Sequence, residues 1–285
     1  MDIYAKVTDR ILEEMEKGII PWKKPWVGGR GAISHVTGKS YSFLNQLLLG
    51  KPGEWLTFNQ IKKEHGTVKK GEKARFVVFW KWLKKETDKV DENGEKVYEE
   101  IPFLQYFNVF HIDQCEGIKP KHVTDVSDFD ANEAAQSIFD EYTSREGITV
   151  NLDGDASYYR PSEDSITLPR MKRFAKLAEY YSTAFHEAVH STGAKTRLAR
   201  EGVVGRIFFG SEDYSKEELI AELGASMLVS HVGLETESSF ANNVSYISGW
   251  LEALKNDKRM IVSAAGKAEK AVKYILNEKD EEIPA

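Results

Sequence analysis

His186, Glu187, Ala188, Val189 and His190 form an HExxH pentapeptide, and these residue types at this spacing define a chemistry. Positions four apart share one face of a helix, so both imidazoles can reach a single cation, with Glu187 beside them. Neutral imidazoles are good ligands for Zn2+, and a carboxylate next to the first ligand can take a proton from water as that water attacks a carbonyl carbon. The pentapeptide therefore points to metal-assisted hydrolysis, with His186 and His190 as ligands and Glu187 as the acid/base group. Imidazole and carboxylate donors also accept Mn2+ or Co2+.

A catalytic site of this kind needs a third protein ligand. Three residues past Gly193, where a longer HExxHxxGxxH pattern would supply another histidine, stands Thr196. The ligand must come from elsewhere, and SKEELIAELGASML (215–228) reads as a helix with Glu218 and Glu222 four apart on one face. Its E-x-x-A-E spacing resembles the glutamate helix of gluzincin peptidases. That resemblance makes Glu218 the expected ligand and gives Glu222 the task of bracing a ligand histidine from behind. Glu222 itself, Glu217 and Asp213 are the alternatives for the ligand. Ser215 and Glu218 also have the S-x-x-E spacing of a capping box, which would leave Glu218 a purely structural role.

The elements that must position these residues can be read from apolar spacing. No glycine or proline occurs between 174 and 192, and Leu177, Ala178, Tyr181, Ala184, Phe185, Ala188 and Val189 recur at helical intervals, with Gly193 as the expected cap. Upstream, a helix is expected over 131–142, followed by short strands in ITVNL, ASYYR and SITLP. A small sheet before an HExxH helix can pair an extended peptide along its edge, and 164–169 is the expected edge. TRLAREGVVGRIFFGSEDY is a long connection that could cover the cleft, and two further helices end the chain.

The first 120 residues have a different character. Residues 17–85 carry 15 Lys+Arg against Glu54, Glu64 and Glu72, on a chain whose net charge is −6. Such an excess on an acidic protein suggests a polyanionic partner for one domain. Five of the six tryptophans (Trp22, Trp26, Trp55, Trp80, Trp82) fall in this stretch. Rings among lysines suit single-stranded nucleic acid, where bases stack and phosphates meet cations. Trp22 and Trp26 sit in a Pro/Gly loop with Lys23, Lys24 and Arg30, and are expected in solvent. Lys39, Lys69, Lys70 and Lys73 are the other candidate DNA contacts. Trp80 and Trp82 belong to RFVVFWKWL, a strand that pairs with IPFLQYFNVFHI as a β-hairpin, and are expected in its core. Thr57 and Gln60 have the spacing of a capping box.

The periodic apolar pattern fades over 113–129. This gives an α+β protein of two domains: a small mixed N-terminal domain with a β-hairpin over 1–120, a linker over 121–130, and an α+β HExxH domain over 131–285. Cys115 is the only cysteine, which excludes an internal disulfide and a cysteine-based zinc cluster and fits a reducing, cytoplasmic setting. No apolar run reaches the length of a membrane span.

The order of several segments resembles the ArdC-type antirestriction proteins of plasmids and other mobile elements. They are PWKKPW, GKSYSFLN, WLTFNQIKKEHG, VKKGEKA, VFHIDQCEG, YYSTAFHEAVHSTG, the Arg197, Leu198 and Arg200 cluster, and YSKEELIAELGASML. The resemblance covers nearly the whole chain. It implies an N-terminal domain that binds single-stranded DNA and a C-terminal zincin-like metallopeptidase domain, acting together to protect incoming DNA from restriction. It places metal ligands at His186 and His190, the acid at Glu187, and a glutamate ligand on the EELIAE helix. A protein or peptide substrate is the further partner it implies.

Overall fold

The structure is a computed structural model that describes residues 2–23, 31–90, 96–122, 130–205, 212–234 and 244–278. The chain divides into two compact units, one of Met1–Lys6 with Ala32–Val123 and the other of Val7–Gly31 with Thr124–Ala285. Helix α1 (Ile3–Met15) thus gives its first turn to one unit and the rest to the other. Residues 7–31 belong with the C-terminal unit. The reason is the apolar face of α1: Val7, Ile11 and Met15 are buried, Thr8 Oγ1 donates to the Lys258 carbonyl at 2.7 Å, and Asp9 pairs with Lys258 at 2.7 Å.

Trp22 follows α1 into the second unit. Its 3-10 turn, Pro21–Lys23, is fastened by a hydrogen bond from Ser226 to the Trp22 carbonyl, and its ring meets Trp250 edge-on at 6.2 Å. The ring is fully buried. The expectation of an exposed stacking surface at Trp22 is therefore overturned: a large indole next to a helix face is withdrawn from water even in a Pro/Gly setting.

In the first unit, β1 (Ala32–Ser34), α2 (Phe43–Leu49), β2 (Gly53–Thr57), α3 (Phe58–Lys63), β3 (Thr67–Val68), β4 (Arg75–Val90), β5 (Lys96–His111) and β6 (Cys115–Glu116) follow in order. The main sheet runs β1-β2-β5-β4, and β3 pairs with β6. The Thr57–Gln60 capping box forms at the start of α3. Strand β4 lies at the sheet edge, where the Asn45 side chain donates to the Val78 carbonyl at 2.9 Å and accepts from its N–H at 2.8 Å. Ala32, Leu49, Trp55, Val77 and Val109 form the core on that side.

Helix α2 has 7 residues and β4 has 16, about 10 Å of helix against about 50 Å of strand. It can cover only the base of the hairpin. On the opposite face, where Tyr4 of α1 meets it at 6.4 Å, Trp80 is 51% exposed, contrary to the expected core position; the side chain of Trp82 lies outside the described residues. At the far end of the unit, Glu54 accepts the backbone N–H groups of Lys121 at 2.8 Å and His122 at 2.7 Å, which ties the exit of the first unit to β2.

The second unit continues with α4 (Ala131–Glu146), β7 (Thr149–Asn151), β8 (Tyr158–Arg160), β9 (Ser165–Thr167), α5 (Leu177–Thr192), α6 (Glu201–Val204), α7 (Glu212–His231), α8 (Val244–Asn256) and α9 (Met260–Ile275). Helix α5 packs against α4, α7 and α9 and against strands β8 and β9. The sheet order is β7-β9-β8. The strand expected at the edge, within 164–169, is the central one, because β9 is bonded on both sides; β8 holds the edge beside α5. No helix among the described residues is long and apolar enough to cross a membrane.

Arg197 ties this unit together. Its buried guanidinium donates to Asp164 at 2.9 and 2.7 Å, to Glu146 at 3.1 Å and to the Ser191 carbonyl at 3.0 Å, joining the sheet, α4 and the end of α5. Burial alone would raise both carboxyls, but Arg197, with Tyr159 on Asp164 and Arg145 and Tyr274 on Glu146, holds them below the usual range. A depressed folded-state pKa contributes stability above the unfolded pKa that is lost as pH falls through the folded one. Thermal melts should therefore show a steady midpoint down to about pH 5 and a fall below about pH 4. Arg197→Gln should cost roughly 3 kcal/mol at neutral pH and shallow that acid limb; an unchanged acid limb would refute this role.

Candidate metal centre

Helices α5 and α7 bring three donors together. His186, His190 and Glu218 each offer a ligand atom, and these atoms all lie within 4.8 Å of one another. The two imidazole Nε2 atoms are 3.0 Å apart, and the Glu218 oxygens lie 3.5 Å from each ring. Ligands about 2.0 Å from a tetrahedral ion stand about 3.3 Å from each other. The donor spacing fits one cation.

The protonation pattern supports the same fit. His190 Nδ1 faces the Glu217 carboxylate at 3.2 Å, so that nitrogen carries the proton and Nε2 presents its lone pair. The two Nε2 atoms face each other at 3.0 Å, close enough for one ring to donate to the other or for both lone pairs to hold one cation. Burial opposes the charged form of His190, but Glu217 and Glu218 outweigh it and push the imidazole up to about 10. Glu218 is held well below the usual carboxylate range, burial notwithstanding, by the same two histidines.

Glu187 stands apart from its neighbours in character. It is 6% exposed, and burial pushes its carboxyl up, against the opposing pull of His186 and His190. The backbone of Tyr159 on β8 lies beside it. A carboxyl that gains a proton more readily than usual, next to a cation site and the outer strand of the described sheet, is suited to carrying a proton between water and a leaving group.

The far nitrogen of His190 meets Glu217. Consecutive residues on a helix are about 100° apart, which lets Glu218 turn to the metal side while Glu217 turns to His190. Glu217 is in turn gripped by Arg200 through two bonds of 2.9 and 2.7 Å. Arg200 also donates to Thr192 Oγ1 at 2.6 Å and the Val189 carbonyl at 2.7 Å, both on α5. No spacing rule in the sequence singles out Arg200; the signal was its place in the Arg197, Leu198, Arg200 cluster. Arg197 and Arg200 fasten the described start of the 196–214 connection to the helices. Because α7 starts at Glu212, Ser215 lies inside it and cannot cap it with Glu218. Close approach of α7 to α5 depends on Gly224, where a Cβ would stand 2.7 Å from the Val189 side chain.

Of the expected DNA contacts, Lys39, Lys69, Lys70 and Lys73 are exposed, Lys69 donating to the Asp113 carbonyl at 2.8 Å. The Lys23 side chain and residues Lys24, Trp26 and Arg30 lie outside the described residues.

Family models match both halves of the chain. Residues 137–267 match the zincin-like metallopeptidase model and residues 1–110 match the model for the N-terminal domain of the anti-restriction factor ArdC. The second unit is thus a zincin-like metallopeptidase domain. Crystal structures of the antirestriction protein ArdC from the R388 plasmid, one metal-free and one with Mn(II) bound, are 32% identical to this chain at a TM-score of 0.72. They cover 98 and 97% of this chain and are themselves covered over 100 and 98%. This chain belongs to the ArdC antirestriction family. An uncharacterized protein from Sinorhizobium fredii is 31% identical over 96% of this chain and 91% of its own length. Two DNA primases TraC from Escherichia coli are 32 and 31% identical over 95 and 96% of this chain, which spans only 19 and 27% of their length.

Glu217→Gln keeps the shape but removes the charge that fixes the His190 tautomer, and should weaken metal affinity roughly 10- to 100-fold in a calorimetric titration. Gly224→Leu should weaken it at least as much by forcing α7 from α5. Wild-type affinity in both variants would rule out this brace.

Proposed function

We propose that this chain is an antirestriction protein of a mobile element that binds single-stranded DNA through its basic first unit and holds one divalent cation at His186, His190 and Glu218. The observation that carries the reading is the convergence of those three donors within 4.8 Å in a chain of the ArdC family. When bound, Zn2+, or Mn2+ or Co2+ on the same donors, would polarise a carbonyl and make water a better nucleophile. The rest falls to the chain itself. Glu217 and Arg200 keep His190 aimed, Glu187 moves the proton at its carboxyl, and the outer edge of β8 offers backbone groups to an extended peptide. Exposed lysines of the first unit meet phosphates.

An active peptidase that destroys a specific protein, with the first unit only docking, is the second reading. The buried Glu187 beside the ligand pair favours it, since a purely structural metal has no need of a proton carrier. Glu187→Gln separates the two. It should retain metal by elemental analysis and lose any hydrolysis; loss of restriction protection in this variant favours the peptidase, and full protection favours DNA binding alone. If the first unit grips phosphates, log K for an oligonucleotide falls with log salt at roughly −0.7 per contact, and a flat plot would remove the DNA-binding half of the proposal.

A further inference from the structure

The β4–β5 hairpin leaves aromatic surface in solvent beyond the reach of α2. Across the ladder Val77 stands opposite Phe107, Phe79 opposite Gln105 and Lys81 opposite Phe103. Side chains alternate along a strand, so these six residues share one face. Val77 is buried at its base, but Phe79, Phe103 and Phe107 are 45, 47 and 41% exposed. The Phe79 and Phe107 rings lie 5.9 Å apart, and Tyr41 approaches Phe79 at 6.3 Å. The opposite face is different: there Lys6 lies 3.7 Å over Tyr106, and Tyr4 meets Trp80 at 6.4 Å, so the first turn of α1 lines it.

The charge around these rings indicates what they take. Residues 73–83 and 101–112 contain Lys73, Arg75 and Lys81 and no carboxylate. Lys81 is exposed on the aromatic face itself. An apolar protein partner gains nothing from such a cationic setting. A polyanion that also carries flat rings gains from both.

We propose that Phe79, Phe103 and Phe107, with Tyr41 and Lys81, form a stacking platform for unpaired nucleobases of single-stranded DNA. This rests on the reading that the first unit binds single strands, and adds the surface that does so. Alternate residues on a strand are about 6.7 Å apart. Phe107 and Phe103 are therefore about 13 Å apart, with Phe79 between them on the neighbouring strand, a zigzag along which an extended strand can seat successive bases while Lys81 meets a phosphate.

The test uses the full chain, a labelled oligo(dT) and a matched abasic strand, followed by fluorescence anisotropy. Each of Phe79→Ala, Phe103→Ala and Phe107→Ala should weaken oligo(dT) binding roughly 5- to 100-fold while leaving abasic binding and the salt slope as in the wild type. Phe→Tyr at the same positions should restore affinity. Lys81→Ala should reduce the salt slope by roughly 0.7. The rings are about half exposed, so circular dichroism should show a folded chain with a melt lowered only modestly, and the Phe→Tyr variants should melt like the wild type. Alanine variants that bind oligo(dT) like the wild type overturn the platform, and so does a loss of self-association in sedimentation with DNA affinity intact, which would give the face to a second copy of the chain. A wild type that binds no oligo(dT) defeats the underlying DNA-binding reading instead.

Discussion

Two imidazole nitrogens held 3.0 Å apart, with a carboxylate 3.5 Å from each, are the constraint on which the second unit is built. Such a cluster gathers donor atoms at the spacing one cation needs. A positive charge among them is what the three groups can bind together. The surroundings hold the cluster in that arrangement. Glu217 removes the freedom of His190 to choose the other tautomer, and Arg200 keeps Glu217 ionised where burial would otherwise favour its neutral form.

The same constraint explains the packing. Glu218 can only complete the set if α7 runs close to α5, and the glycine at 224 opposite Val189 permits that approach. Arg197 then joins the end of α5 to α4 and the small sheet. That contact holds β8 against the helix and places the Tyr159 backbone beside Glu187. A buried arginine with both flanking acids ionised adds little net stability over an apolar core, but it fixes one geometry. The two arginines of one short segment thus serve separate ends: Arg197 sets where the sheet lies, and Arg200 sets which way a histidine points.

The first unit follows a different physical logic. Its core is small and its hairpin outreaches the helix that covers it, so aromatic side chains remain in water where cations surround them. Exposed rings carry a hydrophobic cost, and a protein that keeps several on one face commonly uses them. The acidic remainder of the chain makes the local excess of lysine more distinct.

The local grammar of the sequence determined a good deal by itself. HExxH, the absence of glycine and proline around it and the apolar spacing defined α5 and both histidines. The Thr57–Gln60 box started α3. These succeed because they depend on neighbours within a turn or two of helix. Only the tertiary structure decided what depends on distant segments. It put Glu217 behind His190, since that contact turns on the angle at which α7 crosses α5 and on where Arg200 lands. It buried Trp22 because Trp250 and Ser226, more than 200 residues away, supply its surroundings, and it left Trp80 half in solvent on the face that the first turn of α1 lines. It made β9 central and β8 the edge, because pairing order is a property of the sheet, and no single strand's composition encodes it.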